Sequence, residues 1–412
     1  MTDYILGDDY WPEDYWSEYW PIYGASVVAV TPVVTPRQSL GLAHFELWLT
    51  TDTGQRLSQL STGLGFNASK VVNGIGWFYY SPPKSFDKNL LRSDRMVQLW
   101  YTPRGATLGK LWNVYFIRKW KFKGQGVEYF SGPDVNELLR RRIVAAYTGS
   151  TQAKKTAIEA DDLMKEVVSE SLSDSADPTP DYGTRVWANL SVQADQTLGP
   201  QITDSFPFKR LLTADGGGVL PGIARAAQVQ GVEVFFAIVP NVVTKSSITF
   251  QFRTYINQPG QDVTNKVIFE EAANNLANAE LEYDYSDETN YIYATGQGQE
   301  AAREVQQIYD TTRINQSIWG RIEGEADSRD QDSANGVSTS GRMALWDGRP
   351  KIRFTSTPLD TEGTPFGIAW DWGDKVTTKF DVVQFDSIVR AVTLSVDQSG
   401  RKSIDCRLDY ES

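Results

Sequence analysis

The chain predicts an α+β, β-rich fold: two small β-barrel modules around a helical and α/β middle region. Three observations lead there. Aromatic residues make up 12% of the 412 positions, and large flat side chains suit the half-buried surface of a sheet. Strand-length runs with alternating polarity crowd the first third and the last fifth. A 3.6-residue apolar period takes over only between them.

In chain order, an acidic aromatic segment comes first. "GDDYWPEDYWSEYWPIYG", Gly7 to Gly24, holds five carboxylates and three Tyr-Trp pairs: Tyr10-Trp11, Tyr15-Trp16 and Tyr19-Trp20. Pro12 with Glu13 and Asp14 suits a helix start and Pro21 a stop, which puts Trp16 and Trp20 on one face. Two turns are too short to persist alone, because isolated helices need about 12 to 15 residues. Residues 1–24 are therefore expected to be a docking arm whose aromatics bind a protein surface.

After "ASVVAVTPVVTP", the runs "HFELWLT", "GIGWFYYS" and "RMVQLWYT" predict strands. "LWNVYFIRKWKFKGQGVEYFSG" predicts a hairpin on "KGQG", and residues 25–150 form the first barrel module. A short helix is expected at "GPDVNELLRRRI", with Pro133 in its first turn. Residues 151–330 form the middle region, including part of the second barrel. Helix is predicted from Thr151 to Leu172, on the stripe Ala160, Leu163, Met164, Val167, Val168 and Leu172. "SDSADPTPDYG" predicts a linker, "VLPGIARAAQVQGVEVFFAIVP" a helix ended by Gly231 and a buried strand, and "SSITFQFRT" a half-buried strand. "ELEYDYSDETNYIYATG" is expected to be a hairpin turning near Ser286 to Asn290, and "GQEAAREVQQIYD" a helix. Residues 331–412 form the C-terminal β domain, with strands at "RMALW", "KIRFTS" and "DKVTTKF" and a final hairpin on "DQSG".

Composition excludes several function classes. The formal charge of −12 opposes a nucleic-acid-binding surface, which needs clustered Lys and Arg. No apolar run approaches the ~18 residues of a membrane span, and no basic-then-apolar leader opens the chain. Synthesis in the cytoplasm is expected. The single cysteine, Cys406, is expected to point into a core.

Motifs for chemistry are weak. Gly296, Gly298 and Ala301 satisfy G-x-G-x-x-G/A, but the strand before them is Tyr-rich and acid-flanked, and Glu300 occupies the place of a pyrophosphate. A tight strand-to-helix turn is the better reading. "DSRDQDSANG" offers Asp327, Asp330, Asp332 and Asn335 to a cation, with the wrong spacing for a calcium loop. "ADGGGVLPG" lacks the Lys-Ser/Thr ending of a phosphate loop and reads as a connection into a helix begun near Pro221. One histidine, His44, leaves triads and multi-histidine metal sites unsupplied. Asp161-Asp162 and Asp287-Glu288 are paired carboxylates expected on a helix face and a hairpin tip. No catalytic, cofactor or metal residue is assigned.

One set of pieces resembles a known family. "GPDVNELLRRRIV" matches G-x-D-x-x-x-L-L-x-R-R at Gly132, Asp134, Leu138, Leu139, Arg141 and Arg142. "VQGVEVFFAIV", "GQDVTNKVIFEEAANNL", "NYIYATGQGQEAAR" with Arg303, "GRIEGEADSRD" and "WDWGDKVTTKF" follow in the family's order. Together, from about Gly41 to Leu408, they resemble bacteriophage tail-tip baseplate hub proteins, in particular the Gp37-like siphophage hub family. Contractile-tail hubs and the first part of tail-associated lysins are related to it.

The resemblance implies a non-enzymatic homotrimer in the virion tail tip, with two related barrels per subunit. It would continue the hexameric tail tube and adapt it to threefold tip, spike or fibre proteins. Its implied partners are itself, the distal tail ring, the tail tube protein, the tape measure protein and, in passage only, DNA. The alternative is a carbohydrate-binding or cell-wall-degrading tip protein. Against a lysin, the chain stops at Ser412, just past the last predicted strand, where a lysin appends a catalytic domain.

Overall fold

The structure is a computed structural model that describes residues 43–61, 65–124, 126–145, 154–172, 185–206, 208–298, 303–329 and 334–411. All lie within the unit Pro32–Ser412. The first strands are β1 (His44–Thr50), β2 (Arg56–Leu60), β3 (Phe66–Val71), β4 (Trp77–Tyr80), β5 (Met96–Thr102), β6 (Lys110–Phe116), β7 (Lys119–Lys123) and β8 (Gly126–Pro133), followed by α1 (Glu137–Arg140). The middle holds β9 (Lys154–Glu159), α2 (Ala160–Leu172), β10 (Leu190–Val192), β11 (Gln201–Ser205), α3 (Val219–Gln228), β12 (Val234–Val243) and β13 (Ile248–Ile256). Next come β14 (Ile268–Glu270), β15 (Leu276–Asp284), β16 (Tyr291–Thr295), β17 (Val305–Tyr309), α4 (Thr311–Gln316), β18 (Glu323–Asp327) and α5 (Ala334–Asp347). The chain ends on β19 (Lys351–Pro358), β20 (Lys375–Phe380), β21 (Val383–Val396) and β22 (Lys402–Glu411).

The β-rich α+β class is what the structure has, but no sheet among the described residues closes into a barrel. The largest sheet has ten strands, eight of them in the order β15-β19-β22-β21-β3-β4-β8-β7, with β14 and β20 attached through β21. Its centre is the antiparallel pairing of β3 with β21, from Phe66↔Val396 to Val71↔Ala391. Strands more than three hundred residues apart in sequence thus share one ladder.

A four-stranded sheet, β2-β1-β5-β6, packs on this large one. Phe45 meets the Phe66 ring edge-on at 5.4 Å and stacks on Tyr101 at 5.3 Å. Such pairs add about 0.5 to 1.5 kcal/mol beyond the area they bury. Strand β5 is buried on both faces because alternation divides it between two cores. Val97, Leu99 and Tyr101 join the core under the large sheet, while Met96 and Trp100 join a second core with α2, α3 and β13. Strand β12 is divided in the same way, Phe235 and Ala237 to one side, Phe236 and Ile238 to the other.

Several expectations need correction. Residues 154–159 are strand, paired to β11 through Ile158↔Ile202, and helix starts only at Ala160, where the apolar stripe starts. The proposed hairpin at 281–295 is two unrelated strands, because β15 pairs with β19 while β16 pairs with β17 and β18. "EVQQIYD" is strand β17 rather than helix, since its backbone completes the β16 ladder from Tyr291↔Tyr309 to Thr295↔Val305.

"RMALW" lies in helix α5, which buries Val337 and Gly341 four residues apart against β16 and β17. Pro133 closes β8 instead of opening a helix, and α3 starts at Val219, which places Pro221 in its first turn. The other strands, the helix-Gly231-strand unit and the "DQSG" hairpin form as expected, with Gly231 at φ +82°. Cys406 is buried on β22. No described helix is long and apolar enough to cross a membrane. The arm residues Tyr10, Trp11, Tyr15, Trp16, Tyr19 and Trp20, the "SDSADPTPDYG" linker and residues 330–333 of the "DSRDQDSANG" loop lie outside the described residues.

Candidate functional site

Two of the family-like motifs lie on the inner side of the large sheet, where the two ends of the chain meet. In the first, Gly132 sits opposite Phe78, and a Cβ there would lie 1.8 Å from the Phe116 carbonyl oxygen. Only glycine lets the chain pass. Two residues on, the buried Asp134 carboxylate accepts hydrogen bonds from the Gly76 amide at 2.9 Å and the Asn136 amide at 3.1 Å. Burial pushes its pKa up to about 7, although both amides act in the opposite direction.

The motif around "WDWGDKVTT" repeats this device. Asp374 accepts from the Gln261 amide at 2.6 Å and the Asp371 amide at 2.7 Å, and burial raises its pKa to about 6. Gly260, in the "GQDV" segment, lies so close that a Cβ would sit 2.1 Å from Asp374 Oδ1. Two separate motifs are therefore the halves of one contact. The Lys70 ammonium lies 3.9 Å above the Trp372 ring, and burial lowers its pKa to about 8 against the pull of Asp371 and Asp134. A half-buried cation beside an indole is held by the ring's negative face.

The third motif closes a smaller sheet. Asn290 is fully buried, gives its amide to the Gly320 carbonyl at 3.0 Å and accepts from the Ile322 amide at 2.8 Å. Arg303 reaches the Gly296 carbonyl at 3.3 Å and Asp327 at 3.1 Å. Gly296 and Gly298 thus lie in the connection between the antiparallel strands β16 and β17, a strand-to-strand connection where a strand-to-helix turn was expected.

The acids that suggested chemistry are engaged in building the fold. Asp161 and Asp162 hold the segment 196–198 onto the start of α2, by accepting from the amides of Leu198, Gln196 and Thr197. Both also take the buried Lys165 ammonium, at 2.8 and 3.3 Å. Glu288 meets Arg313 at 3.3 Å, and Arg313 also binds the carbonyls of Thr289 and Gly348. His44 lies at the start of β1, 3.9 Å from Glu46.

A groove of about 270 Å³ includes Asp94, Glu137, Arg118 and Trp187 in its lining. Two of its three acids are matched, Asp94 by Arg118, and Glu137 by Arg140 and by Arg141 at 2.7 Å; the third is Asp52. No group of three or more metal-ligating side chains occurs among the described residues.

The outer side of the same sheet is different. Trp77 and Tyr79 on β4 are 48% and 41% exposed, and Tyr79 stacks on Tyr129 of β8 at 5.2 Å. Lys119 lies over Tyr129, Lys121 pairs with Glu128 at 2.8 Å, and Lys123 ends β7. This surface suits a macromolecule better than a small substrate, because it is flat, aromatic and cationic. Residue-by-residue reading of the sequence did not single out Lys70, Asp374 or this face. The alternation of "GWFYYS" is the signal that marks Trp77 and Tyr79 as the side opposite Phe78 and Tyr80.

The sequence model of the family described as "Siphovirus ReqiPepy6 Gp37-like protein" matches residues 114–408. The chain belongs to this family. The match covers the three motifs above, together with β7, β8 and everything that follows to Leu408. A search of the curated proteins finds no match.

Among solved structures, the Gp37-like chain is similar to the tail protein from Neisseria meningitidis MC58, with TM-score 0.51 and 12% identity over 89% of this chain and 96% of that one. It is also similar to the 43 kDa tail protein of prophage MuSo2 from Shewanella oneidensis, with TM-score 0.49 and 10% identity over 89% and 98%. The prophage tail protein gp18 from Listeria monocytogenes EGD-e gives 0.44 and 10% over 88% and 94%. The first of these likenesses shows that the Gp37-like chain shares the fold of that tail protein.

Proposed function

We propose that this Gp37-like protein is a structural, non-enzymatic subunit of the virion tail tip: a trimeric baseplate hub. In that role it continues or closes the hexameric tail tube and adapts it to threefold tip, spike or fibre proteins. Its partners are further copies of itself, the distal tail ring and tail tube protein, and the tape measure protein. DNA passes through and is not retained, since a surface with a formal charge of −12 per chain repels phosphate.

Family membership across residues 114–408 carries this reading. The site chemistry supports it, because three of the four paired carboxylates considered for catalysis, Asp161, Asp162 and Glu288, hold a backbone amide or a cation. Each subunit would contribute its two β modules, 25–150 and 331–412 with part of the middle, as two positions of a pseudo-sixfold ring.

Solution mass tests the proposal. A species of three 46.1-kDa chains, by sedimentation at several concentrations, is the expected result; weak association shifts it toward monomer by mass action. The alternative of a carbohydrate-binding or cell-wall-degrading tip protein draws on the exposed Trp77 and Tyr79. Turnover of peptidoglycan or polysaccharide by the purified chain would favour it and contradict the structural role.

A further inference from the structure

The structure leaves an aromatic, cationic face uncovered, and the sequence supplies one segment of opposite character. Strand β7 is the last strand of the large sheet. Of its Lys119, Lys121 and Lys123 only Lys121 meets a carboxylate, Glu128, so the face keeps a positive balance on a chain whose formal charge is −12. Lysines on an edge strand also discourage unwanted strand pairing. That purpose alone does not call for Trp77 and Tyr79 exposed beside them. Large aromatics bordered by charge mark a binding surface.

We propose that this face receives residues 1–24 of a second copy of the chain, with Trp16 and Trp20 against Trp77 and Tyr79 and the carboxylates against the β7 lysines. The inference rests on the oligomeric reading above. Gly7 to Gly24 contains five carboxylates, no Lys and no Arg, so charge and aromatic content are both complementary.

The place where the described chain begins bears on which copy supplies the arm. The Ala43 carbonyl is bound by Lys402, and the registers run Lys402↔Val396↔Phe66↔Tyr80↔Phe130↔Trp120. That is five strand spacings, or about 24 Å, from β7 of the same copy. Residues 25–42 extend to about 60 Å at most, so this face is within reach on the same copy and on a neighbour, and the oligomeric reading assigns the arm to the neighbour. Covering Trp16 and Trp20 in this way removes apolar aromatic surface from water, and charge pairing fixes the register.

The test uses the full chain, co-assembled from isotopically heavy and light copies in equal amounts, with a photoreactive benzophenone side chain in place of Trp16. The expected product is a cross-link from the arm to the β7–β8 peptide, with roughly half of the links joining heavy to light in a closed symmetric ring. The combined changes Lys119→Glu, Lys121→Glu and Lys123→Glu should lower the yield about tenfold, and Asp14→Lys with Glu18→Lys should restore it.

Links confined to one isotope, links to another surface, or no links in a trimer would overturn the arm assignment alone. So would retention of a polysaccharide on this face with arm linking unchanged by the lysine substitutions. A chain that stays monomeric at every concentration would overturn the oligomeric reading, and this inference with it.

Discussion

The two sides of the ten-stranded sheet are made by the same strands and obey opposite rules. On β4, Phe78 and Tyr80 point inward and are almost wholly buried, while Trp77 and Tyr79 point outward and remain about half exposed. The inner side also holds Lys70, Asp134 and Asp374, each with a perturbed pKa, and glycines with no room for a methyl group. In an enzyme such shifts would mark a cleft. Here each carboxylate binds one backbone amide from a distant segment, Asp134 that of Gly76 and Asp374 that of Gln261, and Lys70 covers Trp372, so the perturbation is the cost of holding these segments together. The outer side has relatively few partners of its own and is free to recognise something else.

The contrast is easiest to break at Gly132. Gly132→Ala forces a methyl group to 1.8 Å from a carbonyl oxygen. It should cost about 3 kcal/mol or more, seen as loss of soluble protein or a large fall in Tm. An alanine tolerated there would mean that the inner side is not the rigid half.

Asp374→Asn turns one accepting oxygen into a donor facing an amide, and should destabilise at every pH. The gap from wild type has a definite slope. Asp374 binds its proton more tightly folded, near 6, than unfolded, near 3.8. Its favourable contribution is therefore full below about 3.8 and lost as pH rises through 6. The difference in stability between the two proteins should shrink by about 2 kcal/mol between pH 4 and pH 7, measured by urea titration. A gap that widens would reverse the burial argument.

Lys70→Met sharpens the same point with a smaller effect. Wild type carries the desolvated ammonium at pH 7 and sheds its proton through about 8, before an unfolded lysine does so at 10.5. The variant should be more stable by about 1 kcal/mol at pH 7, and the advantage should vanish as pH rises toward 10.5.

Least disturbing is the outer pair. Trp77→Ala with Tyr79→Ala should cost under about 1 kcal/mol of stability, because neither side chain joins a core. Its effect belongs to assembly, and a large fall in Tm would show that the outer side is structural after all.

Much of the β framework was legible because alternation is a local signal. "SSITFQFRT" and "RMVQLWYT" read correctly as strands from their own residues. The middle was less legible where pairing overrode propensity. "GQEAAREVQQIYD" favours helix by composition, yet its second half completes the ladder of Tyr291 to Thr295. "RMALW" is too short for its period to separate helix from strand, and the small contact surface of Gly341 decided for helix.

The candidate seam was visible only as motifs. Asp134 and Asp374 stood in recognisable runs, but their amide partners lie 58 and 113 positions away, at Gly76 and Gln261. No local pattern announces a carboxylate that binds so far along the chain. Lys70, in "FNASKV", has no signal at all until Trp372 is placed above it.

A symmetry-resolved image of the assembled tail tests the proposed role most directly. Three copies of this chain forming a ring on the tube axis, with the β7–β8 face turned to a neighbour, is the result expected of a hub. Copies found at the ends of lateral fibres, or absent from the particle, would contradict it.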